Sequence, residues 1–94
     1  MIEKNMKRVK LNIIGDVQGV FFRHFAKKEA DSLGLTGWCR NESDGSVFAV
    51  VEGKHGNVNR FIRWAKEGSE LASVENIEIT EEKYTGLEKE FEIR

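Results

Sequence analysis

Residues 8–34 read RVKLNIIGDVQGVFFRHFAKKEADSLG, and this stretch decides the architecture. Val9, Leu11 and Ile13 alternate with Arg8, Lys10 and Asn12, the period of two expected of a half-buried strand. Gly15 to Gly19 interrupts that pattern. Phe22, Phe25, Ala26, Glu29, Ala30 and Leu33 then recur at helical spacing, and Gly34 supplies the C-terminal stop. A strand that leads through a glycine-bearing loop into a helix is the first half of a βαβ unit.

Working outward, Leu35 to Asn41 reads as a second strand, Asp44-Gly45 as a hairpin turn and Val47 to Glu52 as a third strand. Gly53 and Gly56 read as breakers, with His55 in a loop between them. Val58, Phe61, Ile62 and Ala65 mark a second helix that stops at Gly68. Val74 to Thr80 is a fourth strand with Ile77 and Ile79 on one face, and Phe91 and Ile93 suit a short final strand. The order β-α-β-β-α-β predicts an α+β fold: an antiparallel sheet with both helices on one face.

The composition bounds what such a chain can do. Ninety-four residues are expected to form one domain over 1–94, with residues 1–6 as a tail. A chain of this size buries roughly 60–65% of its unfolded surface, enough for one core. Apolar residues at 39% and charged residues at 33% suit a folded soluble chain rather than a disordered one. A single cysteine excludes an intrachain disulfide, and His24, His55 and Cys39 are a thin set for zinc, so no metal is expected. No apolar run approaches the roughly 18–20 residues that span a bilayer. No signal-peptide core follows the charged N-terminus, so the expected compartment is the cytoplasm, with Cys39 reduced. The net charge of −1 argues against a generic polyanion binder. Residues 1–30 nevertheless hold seven Lys/Arg against three Asp/Glu, and residues 67–94 hold nine Glu against three Lys/Arg. That asymmetry fits either solvated faces or a local positive field for a small anion.

Two segments can carry chemistry. The first is Gly15 to Arg23. A loop entering a helix leaves backbone N–H groups unpaired, the helix dipole adds positive charge, and Arg23 adds a planar fork of donors matched to phosphate oxygens. It is neither a Walker A loop nor a dinucleotide fingerprint. The spacing alone leaves open an anion cradle or a plain strand–helix turn with a surface arginine. The second is Gly37 to Gly45, where Asn41 ends a strand just before the hairpin. A side-chain amide there can hold a water, although an asparagine opening a turn is the plainer reading. Cys39 reads as a buried structural thiol, His24 as a surface residue, and Trp38 and Trp64 as core or core-edge residues. Phe48 is expected on the sheet face away from the helices, and Asp44 in the turn.

Gly15-x-Val17-Gln18-Gly19-Val20-x-Phe22-Arg23 resembles the first signature of the acylphosphatase family. Gly37-Trp38-Cys39-Arg40-Asn41-x-x-x-Gly45-x-Val47, followed by Gly53, resembles the second. Leu33-Gly34-Leu35, Phe61-x-x-Trp64 and Phe91-x-Ile93-Arg94 are also similar, so the resemblance spans about Val9 to Arg94. It implies a ferredoxin-like α/β sandwich and metal-independent hydrolysis of a small acyl phosphate to carboxylate and inorganic phosphate, without a cofactor. It further implies that Arg23 and the backbone amides of Val17, Gln18, Gly19, Val20, Phe21 and Phe22 bind phosphate, and that Asn41 positions the attacking water. The chain departs from the family at Gly68-Ser69, where Gly-Pro is frequent, and at Phe21, where small residues are frequent. An RNA-binding module shares the element order, but residues 46–52 carry one aromatic and no Lys/Arg, so no nucleic-acid partner is expected. A non-catalytic anion-sensing domain is the other alternative. A monomer is expected, and no membrane partner.

Overall fold

The computed structural model describes residues 5–94. The elements run β1 (Met6–Asp16), α1 (Phe22–Ser32), β2 (Thr36–Asn41), β3 (Val47–Lys54), α2 (His55–Glu67), β4 (Ser73–Glu82) and β5 (Phe91–Ile93). The five strands form one sheet in the order β4-β1-β3-β2-β5. Val9, Leu11 and Ile13 of β1, Cys39 of β2 and Val47, Ala49 and Val51 of β3 project from one face. They form a single core with Phe22, Ala26 and Ala30 of α1 and Val58, Phe61 and Ala65 of α2. This is the expected ferredoxin-like α+β sandwich. No helix among the described residues is long and apolar enough to cross a membrane.

Helix α1 ends as the glycine signal requires. The Leu35 N–H donates to Ala30 O at 2.9 Å and the Gly34 N–H to Asp31 O at 3.1 Å. Those paired bonds satisfy two carbonyls that a helix end otherwise leaves unpartnered.

Four expectations are corrected. Met6, read as part of a tail over residues 1–6, instead opens β1 opposite Lys54; residues 1–4 lie outside the described residues. Gly53 and Gly56 are not breakers. Strand β3 runs through Gly53 to Lys54, and α2 starts at His55, which is therefore helical rather than in a loop. Gly53 serves a close approach instead: a Cβ there would lie 2.6 Å from Leu35 Cδ2. Trp38 is not in the core. It lies on the open face beside Phe48, ring centroids 5.6 Å apart, with the guanidinium groups of Arg94 and Arg40 over its ring at 4.7 and 5.1 Å. Trp64, by contrast, stacks on buried Phe22 at 5.2 Å, at the edge of the core as expected.

The fourth correction is to the antiparallel sheet. β5 pairs with β2 in parallel, Gly37 opposite Phe91, so the sheet is mixed. Residues 83–90 must cross from the β4 edge to the β5 edge, four strand spacings or roughly 19 Å. β5 starts at the end of the sheet where β4 stops, so residues 83–90 take the short way across, and the parallel pairing follows.

A buried carboxylate holds that crossing. Glu52 projects from β3 onto the open face with its side chain fully buried. It accepts hydrogen bonds from Thr85 N at 3.1 Å and Gly86 N at 3.0 Å, and pairs with the Arg8 guanidinium at 3.2 Å. Arg8 also reaches Glu82 at 3.1 Å, and that pairing holds the Glu82 carboxyl below its usual range. Breaking a buried pair on one side leaves a charge without compensation. Glu52→Ala is therefore expected to lower the unfolding free energy by about 3 kcal/mol in urea titrations, with a much smaller loss for Glu82→Ala on the exposed side of Arg8.

Candidate active site

The loop from Val17 to Phe21 carries the chain from β1 into α1. Gly19 takes φ 76°, a left-handed conformation that favours glycine. Phe21, the residue before the helix, also takes a left-handed conformation (φ 61°, ψ 23°), and its carbonyl accepts from Phe25 N at 3.1 Å. No side chain caps this helix start and its first turn holds no acidic residue. The first amides of α1 therefore remain available, at the positive end of the helix dipole.

A cavity of about 280 Å³ opens against this loop, lined by Val17, Gly19, Phe21, Phe22, Arg23, His24, Asn41 and Ile93. Of the residues singled out from the sequence, Arg23 and Asn41 thus meet at one cavity, together with four of the six loop residues. Gln18 and Val20 do not line it. Val20 packs against the core. Gln18 turns toward the β2–β3 hairpin, where its Nε2 donates to Glu42 O at 2.7 Å and to Ser46 O at 2.9 Å. The hairpin is closed by Glu42 N to Ser46 O at 2.8 Å. Asp44 Oδ1 accepts from Ser46 N at 3.0 Å and from Ser46 Oγ at 2.6 Å, which holds the Asp44 carboxyl below its usual range. Asp44 is the turn residue that the sequence suggested. Gln18 therefore joins the loop to the hairpin that presents Asn41, although its carboxamide is turned from the cavity.

Strand β5 brings what the sequence did not signal. Arg23 Nη1 donates to Arg94 O at 3.0 Å, and Lys27, one helical turn on, donates from Nζ to Phe91 O at 2.7 Å. Two cations on one side of α1 thus hold the chain at the first residue of β5 and at the residue after it, with Ile93 between them at the cavity wall. The alternation of Phe91 and Ile93 marks a strand but not the edge it joins, so nothing in the sequence pointed to Ile93. His24 was read as a surface residue; it is exposed, and it also lines the cavity.

Cys39 lies under the site. Burial pushes its thiol up to about 11, outweighing Arg23 and Lys27, whose positive charges act the other way. It is a buried, protonated side chain, as expected from the sequence.

The fold and the cavity define an α/β sandwich with a cationic pocket at a helix start. The acylphosphatase family model matches residues 9–93. The chain is 45% identical over 91 residues to an acylphosphatase of Rubrobacter xylanophilus, covering 97% of this chain and 83% of the relative. It is 49% identical over 86 residues to an acylphosphatase of Thiobacillus denitrificans, covering 89% and 97% of the two chains. Its fold matches the crystal structure of acylphosphatase from Bacillus subtilis with a TM-score of 0.90 and 34% identity, covering 94% and 98%. The chain belongs to the acylphosphatase family and is a hydrolase of that class.

Two measurements check the geometry. Gln18→Ala leaves the Glu42 carbonyl without this donor and is expected to cost about 1–2 kcal/mol, with faster hydrogen exchange at the Gly45 amide than in the wild type. The Cys39 thiol stays protonated in the fold up to about 11 against an ordinary 9.0. Its contribution is complete below pH 9 and is lost as the pH rises toward 11. In denaturant titrations, the stability difference between wild type and Cys39→Ala should therefore fall over that interval; a difference independent of pH would contradict it.

Proposed function

We propose that the protein hydrolyses small acyl phosphates with Arg23 and Asn41 in separate roles. The observation that carries this reading is that the two side chains, 18 positions apart in sequence, line one cavity with the uncapped start of α1. Arg23 and the backbone amides of residues 17–22 bind the phosphoryl group. The guanidinium supplies a forked set of donors, and the helix start supplies aligned N–H groups and partial positive charge. The Asn41 carboxamide orients a water, since it can both accept from and donate to it.

This equipment suits the chemistry. The water oxygen forms a bond to phosphorus as the bond from phosphorus to the acyl oxygen breaks. The products are a carboxylate and inorganic phosphate. A carboxylate is a weakly basic leaving group, so it departs without a strong general acid. Phosphoryl transfer then needs mainly alignment and charge stabilisation on the equatorial oxygens. Asn41 is no base; in this reading a phosphoryl oxygen of the substrate takes the water's proton. Neither a metal nor a cofactor has a part in the scheme.

The protein acts in this reading as a monomeric single domain in the cytoplasm, without a nucleic-acid or membrane partner. Two guanidinium groups already lie over the Trp38 ring on the open face. That arrangement supports the expectation that the sheet does not stack bases.

The test is release of phosphate from a generic aryl acyl phosphate in the presence of a chelator. Wild type is expected to be active and Arg23→Ala inactive. Asn41→Ala should lose about a hundredfold or more in kcat while inorganic phosphate still inhibits it at similar concentrations. Unchanged turnover in Asn41→Ala would remove the water-positioning role. Phosphate binding without turnover of any acyl phosphate would favour the anion-sensing alternative.

A further inference from the structure

The helix layer carries a second cleft that the phosphoryl chemistry leaves unused. It encloses about 550 Å³ between α1 and the turn after α2, and it shares no lining residue with the cavity at Arg23. Sites for small molecules have this size. Phe25 and Trp64 line it, and neither is fully buried. Trp64 is backed by Phe22 at 5.2 Å and by Phe61 at 5.5 Å, ring to ring. An aromatic face held in place by the core offers contact area at little cost in side-chain entropy.

Charges of both signs surround the rings. Lys28 and Glu29 come from α1, and Glu70 from the turn. None of the three belongs to an ion pair among the described residues; on α1 it is Lys27 that pairs with Asp31. The turn follows the C-terminal end of α2, where the helix dipole places partial negative charge. One side of the cleft therefore favours an ammonium group, and Lys28 favours a carboxylate. A simple amine would leave Lys28 facing a like charge. A simple carboxylate would face Glu29, Glu70 and the helix end. A ligand that carries both charges complements both sides.

Ser69 marks the same cleft independently. It lines the wall at the position where proline is frequent in the family. Its Oγ is the one buried side-chain polar atom without a hydrogen-bond partner among the described residues. A hydroxyl left in this way is costly and calls for a partner at that place.

We propose that the cleft is a binding site for a small aromatic zwitterion, an α-amino acid with an aromatic side chain. Its ring packs on Trp64 and Phe25, its ammonium group lies toward Glu70 and the end of α2, and its carboxylate pairs with Lys28. The site is separate from the reaction at Arg23.

An NMR titration of the full chain tests this. The probes are phenylalanine, phenethylamine and hydrocinnamate, which present the same ring with both charges, the cation alone and the anion alone. The chain has two tryptophans, and Trp38, beside Phe48 on the open face of the sheet, serves as the internal control. Phenylalanine is expected to shift the Trp64 indole N–H saturably and to leave that of Trp38 unmoved. It should bind about tenfold more tightly than either analogue. Lys28→Met should weaken phenylalanine about tenfold and leave phenethylamine unweakened, whereas Glu70→Gln should weaken both and leave hydrocinnamate unweakened. Ser69→Ala removes a hydroxyl that has no partner, so its melting temperature should not fall, while phenylalanine binds severalfold more weakly. No saturable shift at Trp64, an analogue bound as tightly as phenylalanine, or affinities unmoved in both Lys28→Met and Glu70→Gln would each overturn the site.

Discussion

The two donations from the Gln18 carboxamide, to Glu42 O and Ser46 O, make one site of two chain segments. The cradle loop follows β1 and the Asn41 hairpin follows β2. β1 and β2 are not neighbours, because β3 lies between them. The ladder through β3 fixes the strand ends, with Ile13 and Asn41 both opposite Val47, but it does not fix the loop that follows β1. A side chain anchored on two backbone carbonyls does. Because Ser46 O also accepts from Glu42 N, the anchor lies at the closing pair of the hairpin rather than at its tip. Asn41, next to Glu42, is thereby placed relative to the start of α1.

A second set of contacts completes the wall from the other side. β5 has only three residues and is held at its start by Lys27, which donates to Phe91 O, and just past its end by Arg23, which donates to Arg94 O. Arg23 thus has two relations: one N–H group is used on the Arg94 carbonyl, and the side chain also lines the cavity. Fixing one branch limits the rotamers that a long side chain would otherwise sample, which lowers the entropy that the proposed phosphate-binding role would cost. Glu52, on the far face of the sheet, supports the same arrangement at a distance. It fixes residues 83–90 as they cross, and so delivers β5 to the β2 edge.

Much of this was legible from local patterns. The alternation in residues 8–13 and the helical recurrence in residues 22–33 name their elements, since side-chain direction repeats every two residues in a strand and every 3.6 in a helix. Gly34 named the end of α1. The two signature segments named Arg23 and Asn41, and the cavity contains both. Gly53 and Gly56 misled because glycine breaks a local pattern equally well when it serves close packing, as Gly53 does against Leu35. Trp38 misled because a large aromatic residue suggests the core, whereas the strand period places it opposite Cys39, on the open face. The role of Gln18 as a tie rather than a cavity residue had no local signal. Its two acceptors lie 24 and 28 residues away.

The sequence by itself determined the order and type of the elements, the single core and the pair of segments that meet at the cavity. All of these follow from periodicity, turn residues and motif, which act over a few positions of the chain. Only the tertiary structure decided that β5 runs parallel to β2, that Ile93 reaches the cavity, that the Arg23 fork is held by a backbone carbonyl, and that Phe21 stands exposed in a left-handed conformation at the mouth. Those depend on which sheet edge and which end residues 83–90 cross to, and on which carbonyls and side chains then meet. Contacts between residues distant in sequence are set by that geometry rather than by local pattern.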